Sequence, residues 1–314
     1  LTNKTSPLGT ELLYSTNVGI NNVLLFGGLM SNKKDQNFDQ GVIDSFGHEW
    51  ETFDYSLNDS DIALDAQFSA YCSPLNMNIF DSNKSIVGDF GAGSGRWTSR
   101  LLQNFHKVYA LEPSAGANRV LRKKFGENNR VVILQETVGG NSIPDESLDL
   151  AVSLGVLHHI PDTELAIKDV AVKIKKNGFF LCYLYYNLEN KPIYYKLIFY
   201  VVNLFRKVIS KFPQRVKVML SYVIATTVYW PLARFSKLLG RIRINVSNIP
   251  LHHYAEMPFM MLANDSLDRF GTTLEQRFSR EQIKLMLEKA DFDMDTLVFS
   301  DVEPYWTFSV QKNS

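Results

Sequence analysis

Ser85-Ile-Val-Gly-Asp-Phe-Gly-Ala-Gly-Ser-Gly95 is the stretch whose reading decides the fold. Its first six residues have the pattern of a short buried strand. The glycines that follow let the backbone turn sharply and come close to a ligand, because a Cβ would clash there. Residues 96–105 carry helix formers, with Leu101, Leu102 and Phe105 at helical spacing. Working outward, the rhythm repeats. Strand 107–112, a turn at Pro113-Ser114 and helix 115–125 come next, then strands 130–134 and 148–153, helix 163–174, a turn at 175–178 and strand 179–185. Strands alternating with helices at this spacing predict parallel βαβ units in an α/β, doubly wound sheet.

Ligands of such sheets bind beyond the carboxyl ends of the strands. Glu112 closes the second strand 19 residues after Gly93, where a carboxylate accepts hydrogen bonds from ribose hydroxyls. The glycines fall at 91, 93 and 95, not in the GxGxxG spacing of a dinucleotide site, and Asp89 stands in the approach to the loop. A carboxylate there suits a cationic amine and disfavours a pyrophosphate.

At these residues the chain resembles the class I S-adenosylmethionine-dependent methyltransferases. The resemblance rests on Val87-Gly-Asp-Phe-Gly-Ala-Gly-Ser-Gly95, Leu111-Glu-Pro-Ser114, Pro144-Asp-Glu-Ser-Leu-Asp149 and Ser153-Leu-Gly-Val-Leu-His-His-Ile-Pro-Asp162. It covers about residues 85–185 and resumes near the C-terminus, in the manner of a bacterial type 11/25-like subgroup. It implies a Rossmann-like, mostly parallel seven-stranded sheet and S-adenosyl-L-methionine as cofactor. By the same resemblance, Asp89, Gly91, Ala92, Gly93, Ser94 and Gly95 hold the amino-acid portion of the cofactor, and Glu112 with Pro113 and Ser114 the ribose. Glu136, Thr137 and Val138 line the adenine, although Glu136-Thr137 replaces the usual Asp. Ser153, Leu154 and Gly155 lie beside the methyl group.

His158 and His159 fall in the last of these motifs. Either one packs or caps the following helix, or it acts as a general base for an acceptor hydroxyl or amine. Adjacent histidines point apart, so neither this pair nor His252-His253 makes a bidentate metal site, and no metal is expected. Trp50, Tyr185, Tyr186, His253 and Tyr254 are substrate-side candidates, with Phe53 as a second wall residue beside Trp50. The further stretches Phe46-Gly-His-Glu-Trp50, Tyr183-Leu-Tyr-Tyr-Asn187, Tyr229-Trp-Pro-Leu-Ala233, Asp268-Arg-Phe-Gly-Thr272 and Pro304-Tyr-Trp306 resemble the same subgroup, whose members are associated with tailoring of surface glycans or small metabolites. The expected activity is methyl transfer to a small molecule, most naturally an oxygen of a sugar. A membrane lipid, quinone or lipid-linked glycan is the alternative acceptor, and a cofactor-binding adaptor without turnover is the reading from outside enzymology.

The chain has 314 residues, 45% hydrophobic and 21% charged, which excludes a disordered or low-complexity protein. Two cysteines, Cys72 and Cys182, cannot build a disulfide framework, so a reduced, cytoplasmic setting is expected. The apolar patch 23–30 lacks the flanks of a signal peptide. The organisation reads as an N-terminal cap segment at 1–84, the cofactor core at 85–186, a mainly helical insertion after strand five at 187–278, and a last helix with closing hairpin at 279–314. Lys+Arg and Asp+Glu both total 33. That balance conceals an asymmetry, because residues 191–255 hold eleven Lys/Arg and no acid. Three readings fit this insertion: a helical cap packed on the core with solvated basic edges, a peripheral surface for an anionic membrane at its inner face, or a nucleic-acid surface, which aromatics interleaved with aliphatics disfavour. Its uncharged run, 218–233, has 16 residues and falls short of a spanning helix.

Overall fold

The computed structural model describes residues 37–52, 61–189, 191–246, 249–301 and 306–314. The stretch 23–30, Phe53 and Pro304-Tyr305 lie outside them. In chain order the elements are α1 Gln40–Thr52, α2 Asp61–Cys72, β1 Ile86–Phe90, α3 Thr98–Leu101, β2 Lys107–Leu111, α4 Ala115–Phe125, β3 Val131–Leu134 and β4 Leu148–Leu154. Then come α5 Thr163–Lys173, β5 Ile174–Tyr183, α6 Ile193–Ile209, α7 Gln214–Ile224, α8 Trp230–Arg241, α9 Phe259–Gly271, α10 Arg280–Glu288, β6 Phe292–Phe299 and β7 Thr307–Lys312.

The seven strands form one sheet in the order β3-β2-β1-β4-β5-β7-β6. Pairs among β1 to β5 are parallel, and β7 inserts antiparallel between β5 and β6. The order reverses at β1/β4, which puts the switch point at the carboxyl end of β1. Because successive strand residues face opposite ways, β4 feeds both layers. Ala151 packs beneath α5 and α10 with Ile167, Phe180 and Leu287, whereas Leu150 and Val152 join Leu64, Phe68, Trp97 and Leu101 on the other face.

Two local expectations change. The helix read at 96–105 is a single turn, Thr98–Leu101, with no side-chain cap. The Arg130 guanidinium takes up the carbonyls of Leu102, Phe105 and His106, closing the segment in turns. Residues 175–178 are a bulge within β5, where the register jumps between the pairs Leu148↔Ile174 and Leu150↔Phe179 and Asn177 has φ 59°. The other elements run close to their expected bounds. Ser279 caps α10 in a reciprocal box with Gln282.

The insertion leaves and re-enters the sheet at one point, where Phe278 N–H donates to Tyr185 O and Asn187 N–H to Phe278 O. The uncharged run is the middle of one continuous helix, Gln214–Arg241, of 28 residues, long and apolar enough to cross a membrane by length and composition. This corrects the expectation that it falls short. A π turn at Ala225–Tyr229 joins α7 to α8 ahead of Pro231, whose missing N–H leaves the ladder one bond short. Helix α9 lies between this long helix and the core. Arg206 and Lys217 donate to the carbonyls of Thr272 and Gly271 at its C-terminal end, so two of the insertion's cations are buried caps. Behind them Glu275 meets Arg269 and Arg277. Burial pushes its carboxyl up, but the guanidiniums of Arg277, Arg269 and Arg206 outweigh that and hold it below the usual range.

Candidate active site

The glycine loop leaves β1 and hooks onto the end of β2, with Gly91 N–H and Ala92 N–H both donating to Leu111 O at 2.8 and 3.0 Å. Gly93 has φ 57°, and a Cβ there would sit 2.8 Å from the Trp50 ring. Only glycine fits both the left-handed backbone and that approach. Helix α1 brings Trp50 to the loop by crossing the start of α4 so closely that a Cβ on Gly47 would overlap the Ser114 hydroxyl at 2.1 Å.

Two carboxylates flank the loop. Asp89 Oδ2 accepts from Thr98 Oγ1 at 2.6 Å, and burial raises its pKa to about 6. Glu112 accepts from Gly93 N–H at 3.0 Å and from Ser114 N–H at 2.8 Å. Burial pushes it to about 7 against the pull of those two bonds. Ser94 Oγ is buried without a hydrogen-bond partner among the described residues. Two buried acids, one orphaned hydroxyl and a loop stripped of side chains suit a ligand with a cationic end and a diol, which S-adenosylmethionine has. Asp89 and Ser94 would take the amino-acid end, and Glu112 the ribose. Pro113-Ser114 follow directly, with Ser114 capping α4.

The adenine candidates are placed differently from one another. The Glu136 carboxylate is engaged by Ser142 N–H and Oγ, Thr137 donates to Gly139 O, and Val138 is buried in the core beside Ile143. At the end of β4, Ser153 donates to Phe90 O, Leu154 ends the strand, and Gly155 follows with φ 82°.

His158 and His159 lie in a short 3-10 turn after β4. His158 stacks on Tyr185 at 3.8 Å between ring centroids. Neither of its ring nitrogens has a partner among the described residues. Burial, then His159 and Arg277, pushes its pKa well below the ordinary value, so the ring is neutral. His159 Nδ1 lies 2.7 Å from Leu274 O, and a carbonyl can only accept, so that nitrogen carries the proton. Its Nε2 lies 3.8 Å from Asp268 Oδ1.

Asp268 belongs to a group that sequence reasoning did not assemble. Glu49 of α1 and Asp265 and Asp268 of α9 converge with Arg96, Asn264, Tyr185 and Tyr254. Tyr185 donates to Asp268 at 2.7 Å, and Tyr254 hydrogen-bonds Asp265. Burial, reinforced by Asp268 and Asp265, raises Glu49 well above the carboxylate range, and burial raises Asp265 too. Arg96 is the cation facing them, stacked over Trp97 at 4.4 Å and Trp50 at 5.3 Å. Glu49 and Asp268 stand inside stretches quoted for their resemblance, but nothing local marks them as partners across more than two hundred residues.

Two substrate candidates move away. Tyr186 points to the opposite sheet face from Tyr185, against Trp306 at 5.1 Å, because neighbours in an extended chain alternate. His253 is exposed, stacked on the outside of Tyr254. Trp50, Tyr185 and Tyr254 stay at the site. Cys72 and Cys182 are free and buried, and burial pushes the Cys72 thiol to about 12.

Residues 88–182 match the family model described as a methyltransferase domain. An uncharacterized methyltransferase of Geobacillus thermodenitrificans is 32% identical over 130 residues, covering 41% of this chain and 58% of that protein. One from Geobacillus kaustophilus is 32% identical over 124 residues, covering 39% and 55%. The chain thus spans little more than half the length of these relatives. Among solved structures, a methyltransferase from Thermotoga maritima aligns over 85% of this chain and 99% of its own at 15% identity and TM-score 0.43. One from Leishmania major aligns over 86% and 81% at 12% identity and TM-score 0.45. The segment 88–182, which carries the glycine loop and its terminal acid, is thus similar to methyltransferase domains.

Proposed function

We propose that this chain transfers the methyl group of S-adenosylmethionine to a small-molecule acceptor, an oxygen of a sugar or related metabolite. The observation that carries this reading is the acid-rich group beside the cofactor cradle, where Glu49, Asp265 and Asp268 gather around Arg96, which faces the Trp50 ring, and Tyr185 donates to Asp268. Carboxyl groups hydrogen-bond hydroxyls and aromatic faces pack on sugar rings, so the combination favours a polyhydroxyl ligand over an apolar one.

When bound, the cofactor supplies an electrophilic methyl on sulfur, and the protein's task is alignment and proton removal. His159 Nε2 would accept the acceptor hydroxyl's proton. Asp268 stabilises the resulting imidazolium, while Leu274 O holds the tautomer. His158, neutral throughout, hydrogen-bonds and orients the acceptor. The test is incubation with methyl-labelled cofactor and a panel of sugars, nucleotide sugars and hydroxylated metabolites. Label in an alkali-stable ether supports the reading. Label only on nitrogen or carbon, or no transfer while S-adenosylhomocysteine still binds, overturns it.

A further inference from the structure

The insertion turns its apolar side outward. In α6, Ile193, Leu197, Tyr200, Leu204, Phe205 and Val208 are all exposed, Ile193 by 85% and Leu197 by 63%. They recur at three- and four-residue spacing, so they form one continuous stripe. The opposite side of α6, which meets α9, holds the buried Arg206 and its partner Asn203. The long helix repeats the inversion. Its stripe towards α9 buries Lys217, Ser221, Ala225, Tyr229, Ala233 and Ser236, while Met219, Val223, Phe235 and Leu238 face away. Both helices pack on α9, so both apolar stripes point away from it. Although the inner sides also bury an apolar cluster against α9, an exposed apolar face of this extent marks an interaction surface.

Charge identifies the occupant. Of the insertion's cations, Arg206 and Lys217 are buried caps, Arg234 donates to the carbonyls of Ala255 and Met257, and Lys237 pairs with Glu256. Lys196, Lys207 and Arg215 on the two helices, and Lys211 and Arg243 beside them, remain exposed, and residues 191–255 contain no acid. Apolar stripes edged by uncompensated cations complement an anionic bilayer, whose acyl boundary takes the side chains and whose headgroups take the charges. We propose that α6 and the helix Gln214–Arg241 lie in the plane of an anionic lipid surface and dock the protein on it. The long helix does not cross the bilayer in this arrangement, because its Lys217 and Ser221 side is committed to α9. The proposal is independent of the acceptor's identity.

The test is flotation of the full chain with vesicles of phosphatidylcholine alone and of equal parts phosphatidylcholine and phosphatidylglycerol. The protein should float with the anionic vesicles only and be partly released by salt. The double substitution L197E/F205E should lower the bound fraction at least about tenfold, with an unchanged circular-dichroism melt as the control for folding. Equal binding to neutral vesicles would overturn the charge argument. Absence of binding to anionic vesicles would overturn the proposal outright. If light scattering then showed a dimer that L197E/F205E dissolves, the face would belong to a second copy.

Discussion

Asp89→Asn separates stability from cofactor binding, and the structure sets the size of each effect. The carboxyl is 2% exposed and its pKa is raised from 3.8 to about 6, mainly by burial. The folded state therefore holds this proton more tightly than the unfolded chain, and stability falls as pH rises from about 4 to about 6. Above that window the penalty is complete. A shift of about two units at about 1.4 kcal/mol each comes to about 3 kcal/mol. Asparagine has nearly the same shape, and its oxygen can still accept from Thr98, yet it carries no charge to desolvate. In the absence of ligand, the variant should melt higher than the wild type at about pH 7.5, and the difference should vanish at about pH 4. Binding should change in the other direction. Without a carboxylate for the ammonium group, the variant loses charge-assisted hydrogen bonding of about 1.5–3 kcal/mol, or roughly ten- to a hundredfold in Kd for S-adenosylhomocysteine. Wild-type affinity should also fall more steeply between pH 7.5 and pH 5 than that of the variant, in which Glu112 still titrates but Asp89 does not. Thermal melts across pH and titration calorimetry read the two effects separately. A variant that melts lower at pH 7.5 would refute the buried-charge argument, and an unchanged Kd would remove Asp89 from the cofactor site.

Gly93→Ala should weaken S-adenosylhomocysteine binding about tenfold or more, since the new methyl meets Trp50 at 2.8 Å in a left-handed backbone; calorimetry in a Trp50→Ala background should recover the part due to the clash, and no recovery would mean that the ring does not press on the loop. His159→Gln should lower kcat by about a hundredfold or more with little change in cofactor Kd, and a retained rate would exclude it as the proton acceptor. Because burial keeps His158 neutral, its protonation should produce no acidic limb near pH 6.5 in the rate profile. Glu275→Gln leaves Arg269, Arg277 and Arg206 facing one another without their anion, and should cost about 3–5 kcal/mol in chemical denaturation.

The parallel core was legible because its code is local. Strands buried on both faces are short apolar runs, the loop between β1 and α3 is rich in glycine, and Ser279 announces the helix it caps. Half of the cofactor cradle follows from the same signals, since Asp89 and Glu112 sit at strand ends. The acceptor side is built otherwise. Glu49, Arg96, Asp265 and Asp268 come from two helices and a loop that are far apart in the chain, and each alone reads as an ordinary polar residue. Tyr185 could be expected at the site and Tyr186 could not be excluded from it, because the alternation of an extended chain leaves open which side faces the ligand until a neighbour such as Trp306 claims one of them.

The insertion exposes a limit of a different kind. Helical spacing in 193–209 predicts an apolar stripe, and the structure has one, but a period carries no direction. The packed cap and the membrane surface share that pattern and differ only in which way the stripe turns. What turns it is polar chemistry on the other side. Arg206 and Lys217 must reach the free carbonyls at the end of α9, and Arg206 must also reach Glu275, so the sides of α6 and α7 that carry these two residues are drawn inward and the apolar stripes are left outside. The direction therefore depends on a handful of buried hydrogen bonds. Replacing Arg206 and Lys217 together with leucine removes the reason for it, and the two helices should lose their fixed seat on α9. The expected readout is faster amide exchange across residues 193–241 with the sheet still protected. Unchanged protection there would mean that contacts other than these caps set the orientation.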